Sequence, residues 1–258
     1  MIIGSQAISP YCGKPKAPSP LYLMPKQSII RGSIPLLTLQ NEIKAWMPSQ
    51  LADFWNGSSF PPLNYNPGNN EFPQITGQFG SIFTFAKKLT DSTLRKTYFM
   101  MYAQGGTRIF PDPAKVDWSP TTDELLASAI TEVRQAKREK NLAPPVVIWG
   151  MGINDARDLD AANFYEQGLN DVFDTLVSEL NVERFLLQAT HNSLPVLTYP
   201  HSAIIQAAEI AVAASRSDTT LFSAAGLQVA GDNVHLTQVG GYRVMGEAFA
   251  DHEISLIP

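Results

Sequence analysis

Cysteine is almost absent from this chain of 258 residues. The single Cys12 excludes an intramolecular disulfide and a cysteine-rich metal site, and it reads as an incidental thiol rather than a nucleophile. Histidine is scarce as well, at four residues, and no two stand at the i, i+4 spacing of a zinc-binding helix. Neither a metal nor a cofactor is therefore expected. Basic runs are missing and the net charge is -5, which argues against a nucleic-acid-binding surface. No stretch approaches the roughly twenty consecutive apolar residues a membrane helix needs, so no membrane span is expected. The opening Met1-Ile2-Ile3-Gly4-Ser5 soon turns polar and proline-rich and does not read as a signal peptide. Internal repeats and low-complexity tracts are also lacking.

What is present is ample material for a core. Hydrophobic residues make up 44% of the chain against 17% charged, and the length fits one domain over 1–258. Leu21-Tyr22-Leu23-Met24 reads as a short buried strand closed by Pro25. Residues 1–20 read as an N-terminal arm or extra strand. Residues 33–75 read as an irregular insertion, rich in turn signals such as Pro61-Pro62 and Asn66-Pro67-Gly68. A helix is expected from Ser81 to Leu89, then a strand Tyr98–Tyr102. Thr121 and Glu124 have the spacing of a capping box, opening a helix with Leu126, Ile130 and Val133 inward. Pro144-Pro145 leads into a strand Val146–Trp149. A helix over about 161–180 follows, with Phe164, Leu169, Phe173 and Leu176 inward, then a strand Arg184–Gln188. An alanine-rich helix over 202–215, a short strand at Leu221-Phe222 and a helix over 237–250 complete the chain. Strands alternating with helices predict an α/β three-layer sandwich around a parallel sheet of about five strands, flavodoxin-like in plan.

In such sheets functional groups collect on loops beyond the C-terminal ends of the strands. Four segments there carry chemistry. Gln27-Ser28 follows the first strand, Gln104-Gly105-Gly106-Thr107 the second, and Gly152-Ile153-Asn154-Asp155 the third; Asp232-Asn233-Val234-His235 precedes the last helix. Together they supply an acyl-transfer site. Ser28 is the candidate nucleophile, His235 the general base, and Asp232 the residue that orients the imidazole. Backbone N–H groups of Ser28 and Gly105 and the side-chain amide of Asn154 are candidate donors to the oxyanion. Ser5, also after a short apolar run and a glycine, is the rival nucleophile. Gln27, Gln104, Thr107 and His191 are candidate substrate contacts. Asp155 reads as a cap or loop brace. Trp46, Trp55 and Trp118 are either core residues or platforms for a sugar ring.

The four segments, in this order, resemble the SGNH hydrolase superfamily of GDSL-type esterases, and within it the sialate O-acetylesterase-like and carbohydrate acetylesterase branch. Leu21–Met24, Gln27, Ser28 and Gly32 keep the register of the branch's nucleophile block. Phe79–Leu89 with Tyr102–Thr107, Trp149–Ala156 and Gly231–Leu236 resemble its other three blocks. Lys26 and Ile29 depart from that pattern, standing where the branch has Gly and Asn. Met151–Asp155 is closer to the Gly-x-Asn-Asp of the wider superfamily. The resemblance implies an SGNH fold and a cofactor-free serine esterase that removes small acyl groups, above all O-acetyl, from a carbohydrate. It implies an acylated carbohydrate or other small ester as the partner; the compartment is left open, an extracellular or phage-borne polysaccharide-processing system being one setting compatible with it. Related chemistries left open are a lipid esterase or thioesterase and a degenerate member that only binds carbohydrate. Oligomeric state is not legible.

Overall fold

Leu21, Tyr22 and Leu23 are buried because the strand that carries them stands in the middle of a sheet covered on both faces. The computed structural model describes residues 19–25, 51–63, 81–102, 104–112, 114, 116–122 and 124–257. Its strands are β1 (Ser19–Pro25), β2 (Ala52–Phe54), β3 (Thr97–Tyr102), β4 (Leu142–Trp149), β5 (Arg184–Gln188) and β6 (Thr219–Phe222). All pair in parallel, in the order β2-β3-β1-β4-β5-β6. The helices are α1 (Ser81–Thr93), α2 (Glu124–Glu139), α3 (Leu159–Leu180), α4 (Ser202–Ser215) and α5 (Val244–Ser255).

The alternation of side chains along each strand assigns the layers. Arg184 of β5 and Tyr22 of β1 both reach Glu253 of α5, while Phe185, the next residue of β5, stacks on Phe173 of α3 at 3.8 Å. Helices α1 and α5 thus cover one face and α2, α3 and α4 the other. On the first face, Glu253 is buried and accepts from Tyr22 Oη at 2.9 Å and from Arg184 through two bonds of 2.9 and 2.6 Å. Burial, reinforced by that carboxylate, pushes the Tyr22 hydroxyl above its usual range. On the second face, edge-to-face contacts link Trp118, Trp149 and Phe173 in a chain, each ring worth about 2–3 kcal/mol of burial. Trp55 is also buried, its Nε1 donating to Glu132, so Trp55 and Trp118 are core residues rather than sugar platforms. Trp46 lies outside the described residues.

The sheet has one strand more than the five expected. The addition, β2, comes from the stretch read as irregular. It is an edge strand of three residues, and its buried Asp53 is held by Lys96 at 2.5 Å. Strand β4 starts earlier than expected and contains Pro144-Pro145. These prolines have no N–H to give to a ladder, and they are tolerated because the β1–β4 register shifts between Ser19 and Leu21. Helix α2 begins at Glu124, and Thr121 does not cap it: the Thr121 hydroxyl pairs with Ser119 Oγ at 2.7 Å in the preceding turn. In α3, Tyr165 is fully buried while Phe164 is only partly so. The last helical segment opens as a π-turn, Gln238–Arg243, before α5.

From β1 the chain first runs toward β2 and β3 on one side, then crosses to β4, β5 and β6 on the other. The crevice at such a switch point lies beyond the C-terminal strand ends, where the described candidate loops, after β3, β4 and β6, emerge.

Candidate functional site

The turn after β6 shows why an aspartate stands three residues before His235. Val229 and Leu236 form an antiparallel bridge, and Ala230 N donates to His235 O at 2.6 Å, closing a tight loop over 230–235. Asn233 takes a left-handed conformation (φ 56°), which asparagine tolerates better than most residues. Inside the loop Asp232 Oδ1 accepts the amides of Val234 (2.9 Å) and His235 (3.0 Å), an Asx-type turn. The other oxygen, Oδ2, lies 2.5 Å from His235 Nδ1. Partial desolvation pushes the Asp232 carboxyl up, but these amide and imidazole donors outweigh it and bring it down to about 2. An ionised Asp232 accepts from Nδ1–H, so the neutral ring presents Nε2 as its base.

A second pair of loops is tied together beyond β3 and β4. Asn154 Nδ2 donates to Thr107 O at 3.1 Å. The buried Asp155 accepts the amides of Ile109 and Phe110, both at 3.0 Å. Asp155 is therefore a brace between these loops. Gly106 turns the β3 loop with φ 81°, leaving Gln104 and Gly105 exposed. Thr107 is buried; its Oγ1 donates to Gln104 O at 2.9 Å and accepts from Trp118 Nε1 at 3.2 Å. Those bonds make Thr107 a support of the loop rather than an open ligand for substrate. Gln27 and Ser28 lie outside the described residues, as do Ser5 and Cys12; in sequence, Gln27 and Ser28 follow directly on β1.

His191, after β5, is buried and touches the Asp232–His235 turn, lying 3.0 Å from Val234 O. Behind it Glu209 of α4 accepts from Thr190 N and Thr190 Oγ1, both at 2.8 Å. Sequence reasoning missed Glu209. The signal was a lone acid on the apolar face of an alanine-rich helix, beside Ile205, Ala208 and Val212. Among the described residues no group of three or more His, Cys, Asp and Glu side chains is arranged to hold a metal ion. A cavity of about 220 Å³ at the opposite, N-terminal edge of the sheet is lined by Tyr22, Arg184 and Glu253, which satisfy one another.

Residues 26–255 match the family model described as carbohydrate esterase, sialic acid-specific acetylesterase. The chain belongs to this family. It is a carboxylic ester hydrolase, as the sequence blocks implied. Among solved structures, a protein from Arabidopsis thaliana superposes with a TM-score of 0.73 at 15% identity, covering 93% of this chain and 100% of that one. NanS gives 0.67 at 12% identity, covering 92% and 98%. Est24, a carbohydrate acetylesterase from Sinorhizobium meliloti, gives 0.56 at 17% identity, covering 93% and 100%. At these identities the likeness is one of fold, and it agrees with the SGNH plan. No curated protein sequence matches the chain.

Two of the buried carboxyl groups of this esterase, Asp155 and Glu209, have a consequence for its stability. Burial pushes Asp155 up to about 7, against the pull of two amides and of Arg108. Burial likewise pushes Glu209 up to about 8, against the Thr190 donors. Both folded values lie above the unfolded ones, so the folded chain holds these protons more tightly. The stability they lend is full below pH about 4 and is lost as pH rises through 7 and 8. Thermal melts should therefore show Tm falling between about pH 5 and pH 9. A shallower fall is expected in Glu209→Gln; an unchanged slope in that variant would contradict the assignment.

Proposed function

We propose that this esterase removes O-acetyl groups from a carbohydrate through an acyl-enzyme on Ser28, with His235 as general base and Asp232 as its orienting acid. The observation that carries the reading is the Asp232–His235 pair, in which the carboxylate accepts from Nδ1 and leaves Nε2 available. In the first step Nε2 takes the Ser28 Oγ proton as Oγ attacks the acetyl carbonyl. The oxyanion accepts hydrogen bonds from the Ser28 and Gly105 amides and from Asn154 Nδ2. One hydrogen of that side-chain amide is engaged by Thr107 O, which aims the second. Collapse expels the sugar hydroxyl, which receives its proton from His235 Nε2. Water, deprotonated by the same nitrogen, then attacks the acetyl-serine carbonyl; the bond to Ser28 Oγ breaks, Oγ takes the proton back from Nε2, and acetic acid leaves. Gln27 and Gln104 would meet the sugar. No cofactor enters any of these steps.

Hydrolysis of p-nitrophenyl esters from acetate to octanoate, by wild type, Ser28→Ala and Ser5→Ala, tests the reading. Acetate should be the best substrate, and Ser28→Ala should lose at least about a thousandfold in kcat. Loss in Ser5→Ala alone would move the nucleophile to the N-terminal segment. Preference for octanoate would replace the acetyl-sugar reading with a lipid one. Acetate release from O-acetylated sialic acid against acetylated xylan then separates the sugar classes.

A further inference from the structure

His191 occupies a position that neither the acyl-transfer chemistry nor the core requires. Its ring is buried, and the two nitrogens have different partners. Ser193 N donates to Nδ1 at 3.3 Å, so Nδ1 is an acceptor and the hydrogen resides on Nε2. Nε2–H then donates to Val234 O at 3.0 Å, across 43 residues of sequence. That carbonyl belongs to the peptide joining Val234 to His235. The N–H of the same peptide donates to Asp232 Oδ1 at 3.0 Å. The peptide plane that carries His235 is thus gripped at its nitrogen by Asp232 and at its oxygen by His191.

The residues flanking His191 are anchored in turn. Glu209 holds Thr190 through two bonds, and Gln206 Nε2 donates to Thr190 O at 3.1 Å and to Asn192 Oδ1 at 2.7 Å. One helix, α4, therefore holds the Thr190 backbone before His191 and the Asn192 side chain after it. The arrangement forms a continuous path from a rigid helix to the base.

We infer that His191 is a positioning residue for ester hydrolysis: its Nε2–H fixes the Val234–His235 peptide and so aims the His235 ring. The inference rests on the assignment of His235 as general base. A base must meet its proton within hydrogen-bond reach, so freedom at this peptide lowers the rate of chemistry without altering how substrate is held.

Steady-state kinetics on p-nitrophenyl acetate with the full chain test this, using His191→Gln, His191→Asn and His191→Leu, with His235→Ala alongside. A glutamine amide puts an N–H donor near the position of Nε2, whereas an asparagine amide falls near Nδ1. Asn and Leu are expected to lower kcat by roughly tenfold to a hundredfold with KM essentially unchanged, and Gln to restore most of the loss. A rise in KM at constant kcat would make His191 a substrate contact and overturn the inference. Equal kcat in the Gln and Asn proteins would also overturn it, by removing the need for a donor at Val234 O. Should Leu not fold by circular dichroism, the Gln and Asn pair decides alone. Full activity in His235→Ala would remove the base itself, a failure distinguishable because it needs no change at His191.

Discussion

Asp232→Asn is expected to fold as wild type and to hydrolyse p-nitrophenyl acetate roughly a thousand to ten thousand times more slowly. The reason lies in how the two carboxylate oxygens are divided. Oδ1 is fixed by the amides of Val234 and His235, and only an oxygen can accept there. Asparagine must therefore turn its NH2 toward the imidazole, where Oδ2 now meets Nδ1. Two donors cannot face each other, so the ring takes the tautomer with its hydrogen on Nε2, the wrong one for removing a proton from Ser28. The turn itself keeps its two amide bonds, so the fold should survive, with Tm near neutral pH falling modestly as the carboxylate's contribution is lost. A kcat within a few-fold of wild type would sink the role assigned to Asp232. The carboxyl sits at about 2, so Asp232 stays ionised through any mildly acidic assay. Since this folded value is depressed, the stability Asp232 contributes is present above pH about 4 and is lost only as pH falls toward 2.

Gly152→Ala is expected to cost roughly 2–4 kcal/mol of stability and to reduce activity with it. Gly152 has φ 123°, a conformation that side chains rarely adopt. A Cβ there would lie 2.7 Å from Tyr165 Oη and 2.9 Å from Ile205 Cγ2. Neither neighbour can withdraw easily, because both are fully buried and Tyr165 Oη donates to Met151 O at 2.8 Å. The strain would be relieved by moving the loop that carries Asn154, and the proposed oxyanion donor would move with it. Urea denaturation measures the loss. Combining the change with Tyr165→Phe removes the closest contact and should recover part of it. A Gly152→Ala protein within about 0.5 kcal/mol of wild type would show that the loop yields without cost.

The parts of this fold legible in the sequence are those where burial is uniform along an element. Phe99-Met100, Val146–Trp149 and Phe185–Leu187 are apolar runs because parallel strands are covered on both faces. The Asp232–His235 turn was legible because its chemistry is local: one carboxylate both closes the turn and meets the ring. Strand β2 was not, since three residues with a buried aspartate at the centre have no periodicity to read. The Pro144-Pro145 pair was read as a boundary because the register shift that accommodates it depends on β1, more than a hundred residues earlier. The tie from His191 to Val234 and the brace from Asp155 to Ile109 and Phe110 are long-range contacts between loops. Only the sheet order brings those loops together.

The order of the strands also determines when this enzyme can first work. The central strand, β1, is made early, but its neighbours β3 and β4 come from later segments, and the turn with Asp232 and His235 is later still. On the proposed assignment, nucleophile and base are separated by almost the whole described chain. No partly made or partly unfolded sheet can bring them together. Ester turnover is therefore a reporter of complete folding, and the many non-local pairings required make that last closure slow relative to the formation of any single helix.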